Sequence, residues 1–132
     1  MAVGATRDGS VLDDTGVPLN GSSEDVEVLK NHLLEKYPRK PFCLVEEWTI
    51  FRADVSHTDL EKIEKAGHEP LFVFAHKVVH DSRSRFQPGD WVRSSMAISF
   101  DGVMFETKNT VYALMGGGQE RLANLKTIFS FF

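Results

Sequence analysis

The chain contains a single cysteine, Cys43, and this scarcity excludes several kinds of site. One thiol cannot form an intrachain disulfide, and it cannot supply a zinc site built from several cysteines. The sequence also lacks any run of about 18 apolar residues, so we expect no membrane-spanning helix. Its first residues lack the basic and apolar segments of a secretory signal. Together these absences predict a cytoplasmic protein that does not associate with membranes.

Positive charge is outnumbered by negative charge. The chain has 15 lysines and arginines against 19 aspartates and glutamates, which gives a formal net charge of −4. Bulk attraction to nucleic acid or to an anionic membrane is therefore not expected. Any such binding needs a local basic patch.

Motifs that carry catalysis or metal binding are missing as well. No Gly-x-Ser-x-Gly sequence occurs, and the glycines at 116–118 lack the Lys-Ser or Lys-Thr of a phosphate loop, so they indicate a flexible turn. His76 and His80 lie in a strand-like segment, where four residues span about 13 Å, too far for both to bind one ion. The sequence thus predicts no catalytic residue, no metal and no cofactor. A cryptic enzyme of unknown reaction stays open as an alternative.

The length of 132 residues and the hydrophobic content of 42% fit one globular domain. Residues 1–21, rich in glycine, aspartate, threonine and serine, predict a flexible tail, and residues 22–132 predict a single α+β domain. A helix capped by Ser22 or Ser23 is expected to end before Pro38. Strands are predicted in the segments FCLVEEWTIF and PLFVFAHKVVH, with a helix between Ser56 and Gly67.

The clearest local signal is a hairpin in which WVRSSMAISF and VMFETKNTVYALM flank Asp101-Gly102. A type I′ turn there pairs residues whose numbers sum to 203, so that Phe100 lies opposite Val103 and Trp91 opposite Tyr112. This register gives one apolar and one polar face. The final segment, QERLANLKTIFSFF, predicts a helix followed by an extended end.

These elements predict one antiparallel sheet of four to five strands, with two to three helices packed on one face. The segment DSRSRFQPGDWVRSS, residues 81–95, then becomes the main candidate surface, because arginines and aromatic rings are crowded there in an acidic chain. The predicted register adds polar-face neighbours from the second hairpin strand. The candidate binding residues are Arg83, Arg85, Phe86, Trp91, Arg93, Lys108 and Tyr112.

Three interpretations of this surface are open. Arginine and aromatic residues are enriched at protein interfaces, and they can also bind phosphate and stack on bases. The simplest alternative is a solvated loop whose arginines pair with Asp81, Asp90 or Glu106. Because the chain is acidic, a protein partner is favoured over nucleic acid.

The motifs RFQPGDWVRSS, FETKNTVYALMGGG and FSFF resemble a family of small uncharacterised proteins of proteobacteria and their phages or prophages. The resemblance runs from Trp48 to the end of the chain, and it implies a mobile-element context but no reaction, cofactor or catalytic residue. We therefore expect a small cytoplasmic protein-interaction module, a regulator or inhibitor of a host protein. The sequence does not specify its partner or its oligomeric state.

Overall fold

The structure is a computed structural model, and it describes residues 16–130. In chain order, the elements are β1 (Val17–Asn20), α1 (Val26–Lys36), β2 (Phe42–Ala53), α2 (His57–Lys65), β3 (Leu71–Asp81), β4 (Val92–Arg93), β5 (Ala97–Phe100), β6 (Met104–Thr107), β7 (Val111–Leu114), β8 (Gly117–Ala123) and α3 (Leu125–Ile128).

The first two helices begin at capping residues. Ser56 caps α2 by accepting a hydrogen bond from a backbone N–H three residues later (3.1 Å), and Gly67, with φ of +83°, follows its end, as predicted. α1 begins later than predicted, because its capping residue is Asp25 rather than Ser22 or Ser23. Ser22 is buried and donates its backbone N–H to the last residue of β7 (2.8 Å).

β2 is the central strand of the sheet. One edge pairs with β3 in antiparallel orientation, while the other edge pairs in parallel with β7 and then with β8. The described strands thus form a mixed, eight-stranded sheet. The predicted single antiparallel sheet of four to five strands is wrong, because parallel partners are joined by long connections that local alternation along one strand does not reveal.

The segment predicted as one long hairpin forms four short strands. β5 pairs with β6, and Phe100 lies opposite Phe105 rather than opposite Val103. β6 also pairs with β7, while β4 pairs with β3 through Val92 opposite Ala75. The predicted register is wrong because strand structure is interrupted at residues 94–96 and 108–110. No strand of this segment is long enough for alternation to define its partner.

The turn between β5 and β6 is not of type I′. That type requires positive φ at both central residues, and of Asp101 and Gly102 only Gly102 has it (+102°). Asp101 instead accepts backbone hydrogen bonds from Val103 (2.9 Å) and Met104 (2.7 Å) through its Oδ1 atom. The aspartate side chain therefore closes the turn together with a backbone bond from its own N–H to the carbonyl of Met104 (3.2 Å).

The two ends of the described region also differ from prediction. Residues 117–123 form β8 rather than a flexible turn and a helix, because β1 and β2 on its two sides pair with its backbone. The helix that follows, α3, begins only after Asn124. Residues 17–20 of the predicted tail form β1, and residues 1–15 lie outside the described part of the chain.

The sheet curls so that one face encloses the main core. Trp48, Ile50 and Phe105 are buried there, and the N–H of Glu69 donates to the carbonyl of Ala97 (3.0 Å), which ties the beginning of β3 to β5. The opposite face is covered near its two ends, by α1 and by α3. Within residues 16–130, no helix is long and apolar enough to cross a membrane.

Candidate interaction surface

Asp81 organises the loop that follows β3. Its side chain is fully buried (0% exposed), and it accepts hydrogen bonds from Arg85 Nη2 (2.7 Å) and Nε (3.0 Å). The backbone N–H groups of Arg83 (3.3 Å) and Arg85 (2.8 Å) bind the same carboxylate. Arg85 also donates to Thr110 Oγ1 (2.9 Å). Arg85 therefore joins this loop to the turn before β7. Its pairing with Asp81 is what the simplest interpretation of the sequence anticipates, a loop whose arginines pair with nearby acids.

The electrostatics around this pair suppress nucleophilic chemistry. Burial raises the pKa of Cys43 to about 12, and the neighbouring Asp81 adds to the effect. Burial likewise raises the pKa of Tyr112 to about 12. Burial also acts to raise the pKa of Asp81, but hydrogen bonds from Arg85 outweigh it and the pKa is lowered. Thiol and phenol are thus both protonated near neutral pH, so neither is an activated nucleophile.

The Pro-Gly-Asp turn has a structural role. Gly89 has φ of +94° and donates its N–H to the carbonyl of Val78 (2.8 Å), while the carbonyl of Asp90 accepts from the N–H of Val78 (2.7 Å). The Asp90 side chain accepts a hydrogen bond from the backbone N–H of Gln87 (2.8 Å), so it binds the loop backbone rather than an arginine. The turn is fixed against β3 and delivers Trp91 to the surface.

Trp91 is the most conspicuous residue of the surface. It is 49% exposed, and its ring stacks on Phe74 with centroids 5.7 Å apart and planes inclined by 22°. Phe74 in turn meets His76 edge to face at 4.9 Å. Arg93, opposite Phe74 in the β3–β4 register, places its guanidinium 5.0 Å from the ring centre of Phe129, which is 45% exposed. We call these five residues the aromatic strip.

The strip borders two concavities. A cavity of about 350 Å³ beside Arg93 and Phe129 is walled by Phe72 and Met96. On the other side, His76 lines an open groove of about 510 Å³. Further polar side chains of this groove are Asn20, Glu47, Thr49 and Gln119. In residues 16–130, no three metal-binding side chains group together.

The seven predicted binding residues do not form one surface. Trp91 and Arg93 lie on the aromatic strip, whereas Tyr112 is buried in the main core. The other four lie at the strand ends where β3 stops and β7 starts. They are Arg83, Arg85, Phe86 and Lys108. The predicted residues separate in this way because β4, which carries Arg93, pairs with β3 instead of β7.

Sequence reasoning missed Phe74, His76 and Phe129 as parts of the strip. Phe74 lies in a segment apolar on both faces, which predicts burial and not a partly exposed ring. Phe129 lies in the final segment, for which the sequence predicted only a helix followed by an extended end. One signal was available, since the chain is rich in phenylalanine, with ten in 132 residues.

Comparison with known proteins gives one match. No curated protein and no solved structure is detectably similar to the chain. A family described as a domain of unknown function, DUF6957, matches residues 20–130, which is most of the chain and nearly all of the described fold. The chain belongs to this family of uncharacterised domains, DUF6957.

Proposed function

We propose that this chain is a small protein-interaction module whose partner docks on the aromatic strip. The observation that carries the proposal is Trp91, which is half exposed and yet held in place by stacking on Phe74. A ring that is already ordered loses little conformational freedom on binding. Tryptophan and arginine are also the residues most enriched at interface hot spots, and Arg93 stands in the same strip.

The concavities beside the strip support the same proposal. The cavity of about 350 Å³ next to Phe129 is large enough to take an apolar side chain of the partner. The groove on the other side, reached through His76, has a polar lining. An apolar pocket flanked by polar groups matches the core-and-rim arrangement of protein interfaces.

The finer part of the proposal follows the resemblance noted from the sequence. A protein of bacterial, phage or prophage origin that binds another protein would act in the cytoplasm as a regulator or inhibitor of a host protein. The buried thiol of Cys43 suits a reducing compartment. The proposal needs no cofactor.

Affinity capture with matched variants tests the proposal. Trp91→Ala should lose the partner, because truncation of a hot-spot residue costs about 2 kcal/mol or more, roughly 30-fold in affinity. Leu34→Ala is the control, since Leu34 is 54% exposed but lies on α1, away from the strip. A protein that both the wild type and Leu34→Ala capture should be captured in a much smaller amount by Trp91→Ala. Identical capture by all three would refute the proposal, provided that their urea unfolding midpoints agree.

A further inference from the structure

Three connections meet at the end of the sheet where β2 and β7 begin and β3 and β6 end. The N–H of Phe42 donates to Ser82 Oγ (2.8 Å), which joins the start of β2 to the loop after β3. The N–H of Val111 donates to the carbonyl of Pro41 (3.0 Å), which joins the start of β7 to the connection after α1. The loops that meet here are therefore tied to one another.

These connections and the end of α1 concentrate positive charge. Six cationic side chains lie here against four carboxylates, Glu35, Asp81, Asp90 and Glu106. Asp81 forms an ion pair with Arg85, and Glu106 forms one with Lys40, each with a nitrogen–oxygen distance of 2.7 Å. In a chain of net charge −4, this region has a net positive charge. We call the six residues the cationic end: Lys36, Arg39, Lys40, Arg83, Arg85 and Lys108.

The cationic end has the form of a row. The strands stand there in the order β3, β2, β7, β6. Neighbouring strands are about 4.8 Å apart, so the distance from the end of β3 to the end of β6 is about 14 Å. Arg83 follows β3, Arg39 precedes β2 and Lys108 lies between β6 and β7, and all three are exposed. Cations placed along such a row can contact successive phosphates of one strand.

Aromatic rings accompany the cations. Lys36 Nζ lies 5.5 Å from the ring centre of Tyr37, and the guanidinium carbon of Arg85 lies 5.4 Å from that of Phe86. Both rings are partly exposed. Cations that track a backbone, interleaved with rings on which bases stack, are the arrangement of proteins that bind single strands.

We infer that the cationic end binds single-stranded nucleic acid through its phosphate backbone. Lys36, Arg39, Arg83 and Lys108 contact phosphates, and the Asp81–Arg85 pair positions the loop that presents Arg83. This binding is separate from the proposed protein interaction, because the aromatic strip does not include any residue of the cationic end. An acidic protein surface would carry the same charge but would not use the rings.

The test is fluorescence anisotropy with labelled oligothymidylate and oligouridylate, each about 15 nucleotides long. Four phosphate contacts give a slope of log affinity against log salt of about −3 for a single strand. Affinity should therefore fall about 50-fold between about 50 and 200 mM salt. The two oligonucleotides share the backbone chemistry, so their relative affinities distinguish DNA from RNA as the source.

Two triple variants with the same change of charge distinguish binding at the cationic end from an effect of net charge. The combination Arg39→Gln, Arg83→Gln and Lys108→Gln should reduce the magnitude of the slope by about 2, since each lost phosphate contact removes about 0.7. The control makes the same change of charge with exposed lysines of α2 and α3 and should leave the slope unchanged. The control substitutions are Lys62→Gln, Lys65→Gln and Lys126→Gln.

Three results would overturn the inference. One is no anisotropy change with either oligonucleotide at about 20 mM salt, where electrostatic binding is strongest. Another is an equal loss of binding in the two triple variants, which would show a bulk charge effect. The third is equally tight binding of polyglutamate of the same charge through the same residues, which would assign the cationic end to an acidic protein.

Discussion

Replacing Asp81 by asparagine tests how much the loop after β3 depends on one buried carboxylate. Asparagine has nearly the same shape but no charge, and it presents an NH₂ group where the guanidinium of Arg85 needs an acceptor. The substitution therefore loses at least one of the two charge-assisted bonds, at 2.7 and 3.0 Å, and sets donor against donor. The backbone bonds to the loop would weaken as well.

The magnitude follows from the exposure of the two partners. Breaking a buried ion pair by removing one member costs about 3–5 kcal/mol. Arg85 is 33% exposed, so water recovers part of its hydration when Asp81 is gone. We expect Asp81→Asn to lower the free energy of unfolding at pH 7 by about 2–3 kcal/mol, at or just below the lower end of that range.

Removing the other partner should cost more. Arg85→Gln leaves Asp81 charged with a side chain that is 0% exposed. The backbone N–H groups of Arg83 and Arg85 and the weak thiol donor of Cys43 remain to stabilise that charge. We therefore expect Arg85→Gln to be more destabilising than Asp81→Asn at pH 7, because an uncompensated buried charge is worse than a partly hydrated one.

The pH dependence has a definite sign. The folded state lowers the pKa of Asp81, despite the opposing effect of burial, through its bonds to Arg85. The stabilisation is therefore present above the unfolded pKa, near 4, and is lost as the pH falls through the folded pKa. The difference between wild type and Asp81→Asn should be largest at pH 7 and should narrow towards about pH 3.

Urea unfolding at these two pH values measures both effects. Asp101→Asn is the control, because that exposed carboxylate accepts backbone bonds in a turn and asparagine keeps an acceptor, so its cost should stay below about 1 kcal/mol. A loss under about 0.5 kcal/mol for Asp81→Asn at pH 7 would contradict the assigned role of the ion pair. So would a difference that does not change with pH.

Two further predictions concern the core. Gly118→Ala should lower the free energy of unfolding by about 1–3 kcal/mol, because the added Cβ would lie 2.3 Å from the buried ring of Trp48. Gly117→Ala, with nothing within 4 Å, is the control, and equal effects in a urea titration would contradict the packing argument. Cys43 should react with a thiol reagent at pH 8 only as fast as the chain opens, since burial raises its pKa to about 12. Modification of the folded protein at the rate of a free thiol would rule this out.

The elements that could be predicted from sequence are those defined by nearby residues. α2 has its cap, its first-turn acid and its exit glycine within twelve residues, and β2 and β3 are long apolar segments. β8 could not be predicted, because GGQERLA has little strand propensity and becomes a strand only through β1 and β2 on its two sides. The parallel partners of β2 lie some 70 residues away, and nothing local encodes them.

Only part of the candidate surface could be predicted from the sequence. Composition singled out Trp91 and Arg93, and both lie on the aromatic strip. Tyr112 was misplaced because its exposure was inferred from a two-stranded register, and a third strand and a curled sheet bury it. Alternation indicates which residues share a face, whereas burial of that face depends on the rest of the chain.

β3 carries Phe74 of the aromatic strip and ends at Asp81, whose side chain binds Arg85 of the cationic end. Seven residues of strand separate them, which is about 23 Å. A standard protein footprint of about 800 Å² has a radius of about 16 Å, so a partner centred on the strip leaves the cationic end open. Trp91→Ala should therefore keep the oligonucleotide affinity of the wild type, while the Arg39, Arg83 and Lys108 triple variant should still capture the protein partner. Loss of both activities in either variant would mean that the two surfaces are one site, and the separation argued from β3 would be wrong.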